Sequence, residues 1–313
     1  LDMKKIFVVL TTFLATLMLV ACQNNASTSD NTELSSMPKI TGFSYQGDIP
    51  KNPKKVVNFA YSYTGYLLEL GVNVSSYSLD LEKNSPAFGN ELADAVKLTS
   101  DDTEAVAAQE PDLIIAFSTD EHLKELKDIA PVLVIEYGKS DYLEMMTNLG
   151  KVFGKEDKAQ KWLDSWKTKT AKAKEELAPY LDASTSFTVM DFYDKAIYLY
   201  GNNWGRGGEL IYDSLGFSAP ETVKKDVFSA GWFGISQEVL ADYVGDYLVL
   251  NVSQDTKDAA ASLKESDVWK NIPAVKNQKI LEVDENLFYF SDPMSLDKQL
   301  KTFTAAIKKA NSW

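Results

Sequence analysis

Between Lys155 and Leu181 the chain runs without a glycine, and its only proline there, Pro179, stands near the end. Trp162, Leu163, Trp166 and Leu177 form a sparse apolar stripe among many Lys, Glu and Asp residues. The pattern predicts one highly charged helix of about 24 residues, close to 36 Å at 1.5 Å per residue. A mid-chain helix of that length is placed to bridge two lobes, so the sequence on either side is read as two bodies. With 313 residues, 45% of them apolar and 12% aromatic, the chain has ample core material for both.

Before the helix the pattern is β/α. A short apolar run, Lys55 to Ala60, leads into an apolar helical segment, Tyr63 to Leu70, and the stop Gly71. Asp101 with Glu104 three residues on offers a helix start, and near-continuous apolar runs follow at Asp112 to Phe117 and Pro131 to Glu136. Such strands alternating with helices imply a mostly parallel sheet covered on both faces. After the helix, Phe187 to Phe192, the turn Asp194-Lys195 and Ala196 to Tyr200 read as a hairpin. Strands at Tyr247 to Val252 and Lys279 to Val283 and an amphipathic helix from about Pro293 complete the pattern. The expected fold class is therefore α/β: two lobes with central β-sheets flanked by helices, joined by one long rigid α-helix.

The first residues, Leu-Asp-Met-Lys-Lys followed by an apolar run from Ile6 to Val20, read as a secretory signal peptide with Met3 as its true start. The apolar run is shorter than the roughly 20 residues that cross hydrocarbon. Leu19-Val20-Ala21-Cys22 matches a bacterial lipobox and makes Cys22 the expected lipid anchor. An Asn, Ser, Thr and Asp rich stretch with three prolines then reads as a flexible tether. The expected organisation is signal peptide 1–21, lipidated Cys and tether 22–53, N-terminal lobe 54–153, linking helix 154–184 and C-terminal lobe 185–313.

Composition narrows the function. Thirty-two basic against 45 acidic residues give −13, unsuited to broad nucleic-acid contact. One Cys and one His exclude disulfide scaffolds, zinc ribbons and multi-His metal sites. The most unusual stretch is Ile197-Tyr198-Leu199-Tyr200-Gly201-Asn202-Asn203-Trp204-Gly205-Arg206-Gly207-Gly208-Glu209-Leu210-Ile211, with aromatics and an arginine on a glycine-rich connection. An arginine flanked by aromatic faces suits a neutral or anionic oxygen-rich ligand; a structural turn with a surface Arg and a core Trp is the other reading. The glycines fit neither GxGxxG nor GxxxxGK[ST], so a phosphate loop is disfavoured.

Lipobox, β/α lobe, long helix, second lobe and Tyr-Gly-Asn-Asn-Trp-Gly-Arg-Gly-Gly-Glu together resemble the iron–hydroxamate (ferrichrome-type) siderophore-binding lipoproteins of Gram-positive ABC importers. Further points of likeness are the run from Thr103-Glu104 to Ile115 and Gly231-Trp232-Phe233-Gly234-Ile235-Ser236-Gln237-Glu238. The resemblance implies a class III periplasmic-binding-protein-like fold, with two lobes facing each other across a shallow cleft. It implies a ligand site of Tyr198, Trp204 and Arg206 from the second lobe, Tyr137 from the first, and an aromatic at Phe288 or Tyr289. It also implies that Glu104 and Glu238 project from the lobe tips and pair with arginines of the permease; helix-start capping is the alternative reading of each.

The implied protein is a monomer and not an enzyme, with no covalent cofactor except the N-terminal lipid. Its ligand is a ferric hydroxamate siderophore, in which iron is already surrounded by six oxygens, so no protein metal site is expected. Its partners are the ABC permease subunits and, through the lipid, the outer face of the cell membrane. Cobalamin, haem or a catecholate siderophore are alternative cargoes. A secreted hydrolase using paired acids (Asp191 with Asp194, Asp101 with Asp102, or Asp255 with Asp258) and an adhesive surface lipoprotein are the readings from other classes. Tyr61, Tyr63 and Tyr66 are open between pocket lining and packing, Trp162 and Trp166 are expected to pack, and His122 is expected to be a solvent-facing cap.

Overall fold

The two apolar runs of the first half, buried along nearly their whole length, become the inner strands of a sheet. The computed structural model describes residues 37–193 and 196–312, and from Lys39 onward these form one compact unit. The strands before the long helix are β1 (Phe43–Gln46), β2 (Val56–Asn58), β3 (Ser76–Tyr77), β4 (Val96–Lys97), β5 (Leu113–Phe117) and β6 (Val132–Ile135). The first sheet has the order β1-β6-β5-β2, and β3 pairs with β4 apart from it. β2, β5 and β6 are parallel, as continuous apolar strands require; β1 adds antiparallel at the edge, Phe43 opposite Ile135. Val57, Ile114, Ala116, Val132 and Val134 pack with Val106 and Leu126 into the core on one face.

β1 corrects the expected tether at 22–53. Residues 22–36, with Cys22, and the expected signal peptide lie outside the described residues, but residues 43–46 are a strand. Its side chains are at most half-buried, so it is held by main-chain bonds to β6 rather than by an apolar face. A second correction concerns the helix start near Asp101. Asp102 is the cap, accepting from the Ala105 N–H at 3.0 Å, and Glu104 therefore falls one position short of a reciprocal box.

Helix α1 (Thr64–Leu70) ends on Gly71 in the left-handed conformation, and α2 (Thr103–Ala108) and α3 (Tyr142–Phe153) flank the first sheet. The long helix is α4 (Glu156–Leu177), 22 residues and about 33 Å. Ala159, Trp162, Trp166, Thr170, Ala173 and Leu177 form its buried stripe, and the rest of its surface is charged. Trp162 and Trp166 stack on each other, rings 5.5 Å apart and 12° from parallel, so they pack as expected.

The second sheet joins β7 (Phe187–Tyr193), β8 (Ala196–Tyr200), β9 (Trp232–Ile235), β10 (Tyr247–Val252) and β11 (Ile280–Asp284) in the order β11-β10-β7-β8-β9. The first three of that order run parallel, β8 runs antiparallel to its hairpin partner β7, and β9 pairs antiparallel with β8. Helix α5 (Pro293–Ala310), capped by Asp292, packs on α4 and also reaches back to α1 of the first lobe. There Gly65 meets the Asp292 carboxylate so closely that a Cβ would lie 1.8 Å from Oδ1. The Tyr66 hydroxyl is shared between the carbonyls of Tyr142 and Ser291, 3.0 Å from each, and Tyr142 Oη lies 2.7 Å from Ser214 Oγ. The C-terminal helix thus stitches the two sheets together below the cleft that separates them.

Candidate functional site: an arginine stacked between tyrosines

β8 ends at Tyr200, and the chain turns through residues 201–208 into the short helix Glu209–Ser214. Gly205, Arg206 and Gly207 have φ of 73°, 58° and 94°, three successive left-handed residues. Gly205 admits no side chain, because a Cβ would lie 2.1 Å from the Tyr289 carbonyl oxygen. Arg206 is an L residue in that region, a conformation that costs roughly 1–3 kcal/mol and persists only when neighbours enforce it. They do so here: both Glu209 carboxylate oxygens accept from the Gly205 N–H at 3.1 Å, and Ser291 Oγ donates to the same carboxylate at 2.9 Å. Asn251 Nδ2 donates to the Arg206 carbonyl at 3.2 Å. Burial pushes the Glu209 carboxyl above its ordinary value, against these hydrogen bonds that favour the charge.

The Arg206 guanidinium lies between two rings, 3.7 Å from the Tyr289 centroid and 4.5 Å from that of Tyr200. Its Nε donates to Asp191 Oδ2 at 3.1 Å and its Nη1 to the Trp204 carbonyl at 3.3 Å. Burial disfavours its charge, but Tyr289, Tyr200 and Asp191 together outweigh burial and hold it protonated. Burial likewise pushes the Asp191 carboxyl up, and the guanidinium opposes that.

The cleft around this group is a cavity of about 530 Å³. One wall is aromatic and comes from the first lobe: Tyr61, Tyr63, Phe117 and Tyr137, with Tyr61 edge-on to Phe117 at 5.1 Å and Tyr63 facing Tyr137 at 6.4 Å. The other wall presents Asn203, Trp204, Arg206, Glu209, Asp213 and Tyr289. The walls touch where Tyr137 crosses Trp204 edge-on at 4.9 Å and its hydroxyl donates to the Asn203 carbonyl at 3.3 Å. Among the described residues no group of three His, Cys, Asp or Glu side chains is placed to hold a metal ion. The chemistry on offer is recognition: hydrogen bonds from one fixed cation and stacking surface from aromatic rings on both walls.

A family model described as periplasmic binding protein matches residues 56–287, from the first buried strand to the helix beneath Tyr289. The chain belongs to this family. Within the family it is similar to the iron(3+)-hydroxamate-binding protein FhuD of Bacillus subtilis, 36% identical over 301 residues, covering 93% of this chain and 94% of that one. It is 32% identical over 324 residues to the iron(3+)-hydroxamate-binding protein YxeB of the same organism, covering 98% of each. Among solved structures, FhuD2 of Staphylococcus aureus with bound ferrioxamine B matches with a TM-score of 0.77 and 33% identity, over 82% of this chain and 99% of that one. The likeness supports the expected class III fold.

Of the residues expected at the site, Tyr137, Trp204, Arg206 and Tyr289 come together around the cavity. Phe288 is a correction: it is fully buried and packs against Gly207, so the position left open between the two belongs to Tyr289. Tyr198 is displaced from expectation too. It shares a face of β8 with Tyr200, but its ring packs on Trp232 at 5.7 Å and Tyr193 at 6.2 Å, and Tyr200 takes the place against the arginine. Tyr61, Tyr63 and Tyr66 line the cavity as well as packing. Glu104 and Glu238 are exposed in the first turns of their helices, one beside each sheet.

The acid pairs, expected in turn or cap contexts, divide between that expectation and the arginine. Asp191 is committed to Arg206, Asp194 lies outside the described residues, and Asp102 is a cap. His122 sits at the N-terminus of the helix Leu123–Lys127, partly exposed and 3.6 Å from Asp120. Sequence reasoning missed Glu209, Tyr200 and the Asp191 contact. One signal was available: Arg206 is the only arginine in the chain, and a lone arginine among apolar residues calls for a counter-charge.

Proposed function

We propose that this protein is the substrate-binding lipoprotein of an ABC importer, capturing ferric hydroxamate siderophores outside the cell and handing them to the permease. The observation that carries the reading is the Tyr200–Arg206–Tyr289 stack at the base of an aromatic-walled cavity. A ferric trihydroxamate shows the protein an organic shell and a ring of oxygens on iron. Rings cover the shell, and a guanidinium donates to the oxygens. One cation suits that complex better than a trianionic catecholate, which calls for several convergent Lys or Arg. The relatives named for hydroxamate binding point the same way.

Around that core, Cys22 is the lipid anchor, and Glu104 and Glu238 are the contacts to the permease. Charge reversal at either Glu should reduce uptake and leave siderophore affinity intact. The cargo itself is tested by titrating tryptophan fluorescence with ferric ferrichrome, ferrioxamine B, ferric enterobactin, haem and cobalamin. Saturable submicromolar quenching by the hydroxamates alone, weakened in Trp204→Ala and Arg206→Ala, is the expected result. Quenching by another member of the panel and not by hydroxamates would replace the cargo.

A further inference from the structure

Arg206 is the single guanidinium the chain possesses, and a free arginine side chain has four rotatable bonds with which to miss its ligand. What fixes it lies behind the cleft. Asp191 stands on β7, an interior strand of the second sheet with β10 on one side and β8 on the other. Its side chain is 2% exposed and that of Arg206 11%. Contact is end-on: Oδ2 takes the Nε hydrogen at 3.1 Å, and the Trp204 carbonyl takes one Nη1 hydrogen. Arginine carries five N–H donors. Among the described residues no bond uses either hydrogen of Nη2, and the rings of Tyr289 and Tyr200 keep the plane of the fork from turning.

Two features say that this pair is not there for stability. Exchanging a buried ion pair for apolar residues is often neutral or stabilising. Moreover, Asp191 Oδ1 is buried without a hydrogen bond among the described residues, an arrangement that weakens a fold, although the Tyr200 hydroxyl also approaches the carboxylate and favours its charge. A carboxylate kept at that expense, on a rigid strand, against the one arginine of the cleft, is explained by what it does to the arginine.

We propose that Asp191 is a positioning residue for cargo binding: it holds Arg206 by Nε so that the Nη2 end of the fork is presented, already oriented, to the oxygens of the ligand. The proposal rests on the reading of the cleft as the ferric hydroxamate site. Asp191 itself touches no cargo. Orienting the donor beforehand removes the rotamer freedom that binding would otherwise have to freeze, so the gain appears as affinity.

The test is a double-mutant cycle on purified protein with ferrioxamine B, using Asp191→Asn, Arg206→Gln and the two together. Asp191→Asn should weaken binding at least tenfold, and the double variant should bind within twofold of Arg206→Gln alone. Unchanged affinity in Asp191→Asn, or losses that multiply in the double variant, would overturn the proposal. Should Asp191→Asn fail to fold, the double variant, which leaves no buried charge unpaired, is compared directly with Arg206→Gln; equality supports the coupling and a further loss refutes it.

A second arm needs no cargo. With one arginine in the chain, a ¹⁵N spectrum carries one arginine Nε–H signal. In the wild type it should be shifted and protected from exchange, and in Asp191→Asn it should move to the position and exchange rate of a free side chain. A signal that stays put refutes the positioning role. A wild type that ignores hydroxamates sinks the cargo reading alone, because this arm still reports on Asp191.

Discussion

The two walls of the cleft are built on opposite principles. The first-lobe wall is mostly rings, of which Tyr61, Tyr63, Phe117 and Tyr137 sit edge-on, tilted or face to face at up to 6.4 Å, with Asp141 its one charged residue. The second-lobe wall holds Arg206 and Glu209, each fixed by buried partners, at a run of three left-handed residues. Rings offer broad contact that tolerates a small shift of the ligand, whereas a fork of N–H donors works only at one distance and angle. On the proposed function, the second lobe would set the orientation of the cargo and the first lobe would cover it.

That difference is open to attack through two glycines that both line the cavity and both have positive φ, Gly205 at 73° and Gly138 at 79°. A Cβ on Gly205 would strike a main-chain oxygen at 2.1 Å, while one on Gly138 would meet nothing within 4 Å. Gly205→Ala should cost about 3 kcal/mol or more of stability and over a hundredfold in hydroxamate affinity. Gly138→Ala pays only for its backbone conformation, about 1 kcal/mol, with affinity nearly unchanged. Melting curves and fluorescence titrations of the pair check this, and equal effects would abolish the distinction between the walls.

Beneath both walls lies the seam around Asp292, which belongs to neither. Burial lifts its carboxyl to about 6, against the Ser295 hydroxyl and the N–H groups of Ser295 and Met294. Unfolded, the same group titrates near 4, so the folded chain binds the proton more tightly. The group's contribution is then fully present below about pH 4 and is lost as pH rises through 6, by about 3 kcal/mol in all. Asp292→Asn keeps the cap oxygen and abolishes the titration. Its stability should fall less than that of the wild type between pH 4 and 7, measured by denaturant midpoints; parallel profiles would show that the seam does not carry the charge.

How far these regions were legible in the sequence follows from what fixes each. β5, β6, the hairpin and the long helix announce themselves through apolar runs and periodicity, because their own side chains are buried. β1 does not, since an edge strand held by main-chain bonds needs no apolar signature. Nor does the return of α5 to Gly65, a contact between residues 65 and 292 that no local pattern encodes. At the site the motif located the arginine loop, but alternation puts Tyr198 and Tyr200 on one face of β8 without telling which one reaches the guanidinium. Phe288 and Tyr289 are adjacent, yet about 100° apart around a helical turn, so one is core and the other is cleft. Glu209 reads in sequence as one more acid at a helix start, and only the fold shows it bonded to Gly205 and Ser291.

The smallest effect belongs to the covering wall. Tyr137 meets the opposite lobe through its ring against Trp204 and through one hydroxyl bond at 3.3 Å to the Asn203 carbonyl. If the ring is what matters, Tyr137→Phe should leave hydroxamate affinity within twofold, and Tyr137→Ala should lower it about fivefold, near 1 kcal/mol, the worth of one aromatic contact. The hydroxyl bond joins two lobes that α4 and the Tyr66 seam already hold, so its loss should leave the placement of the lobes unchanged. A Tyr137→Phe loss as large as that of Tyr137→Ala would mean that the first lobe also recognises by hydrogen bonding, and the division of labour between the walls would have to be redrawn around that hydroxyl.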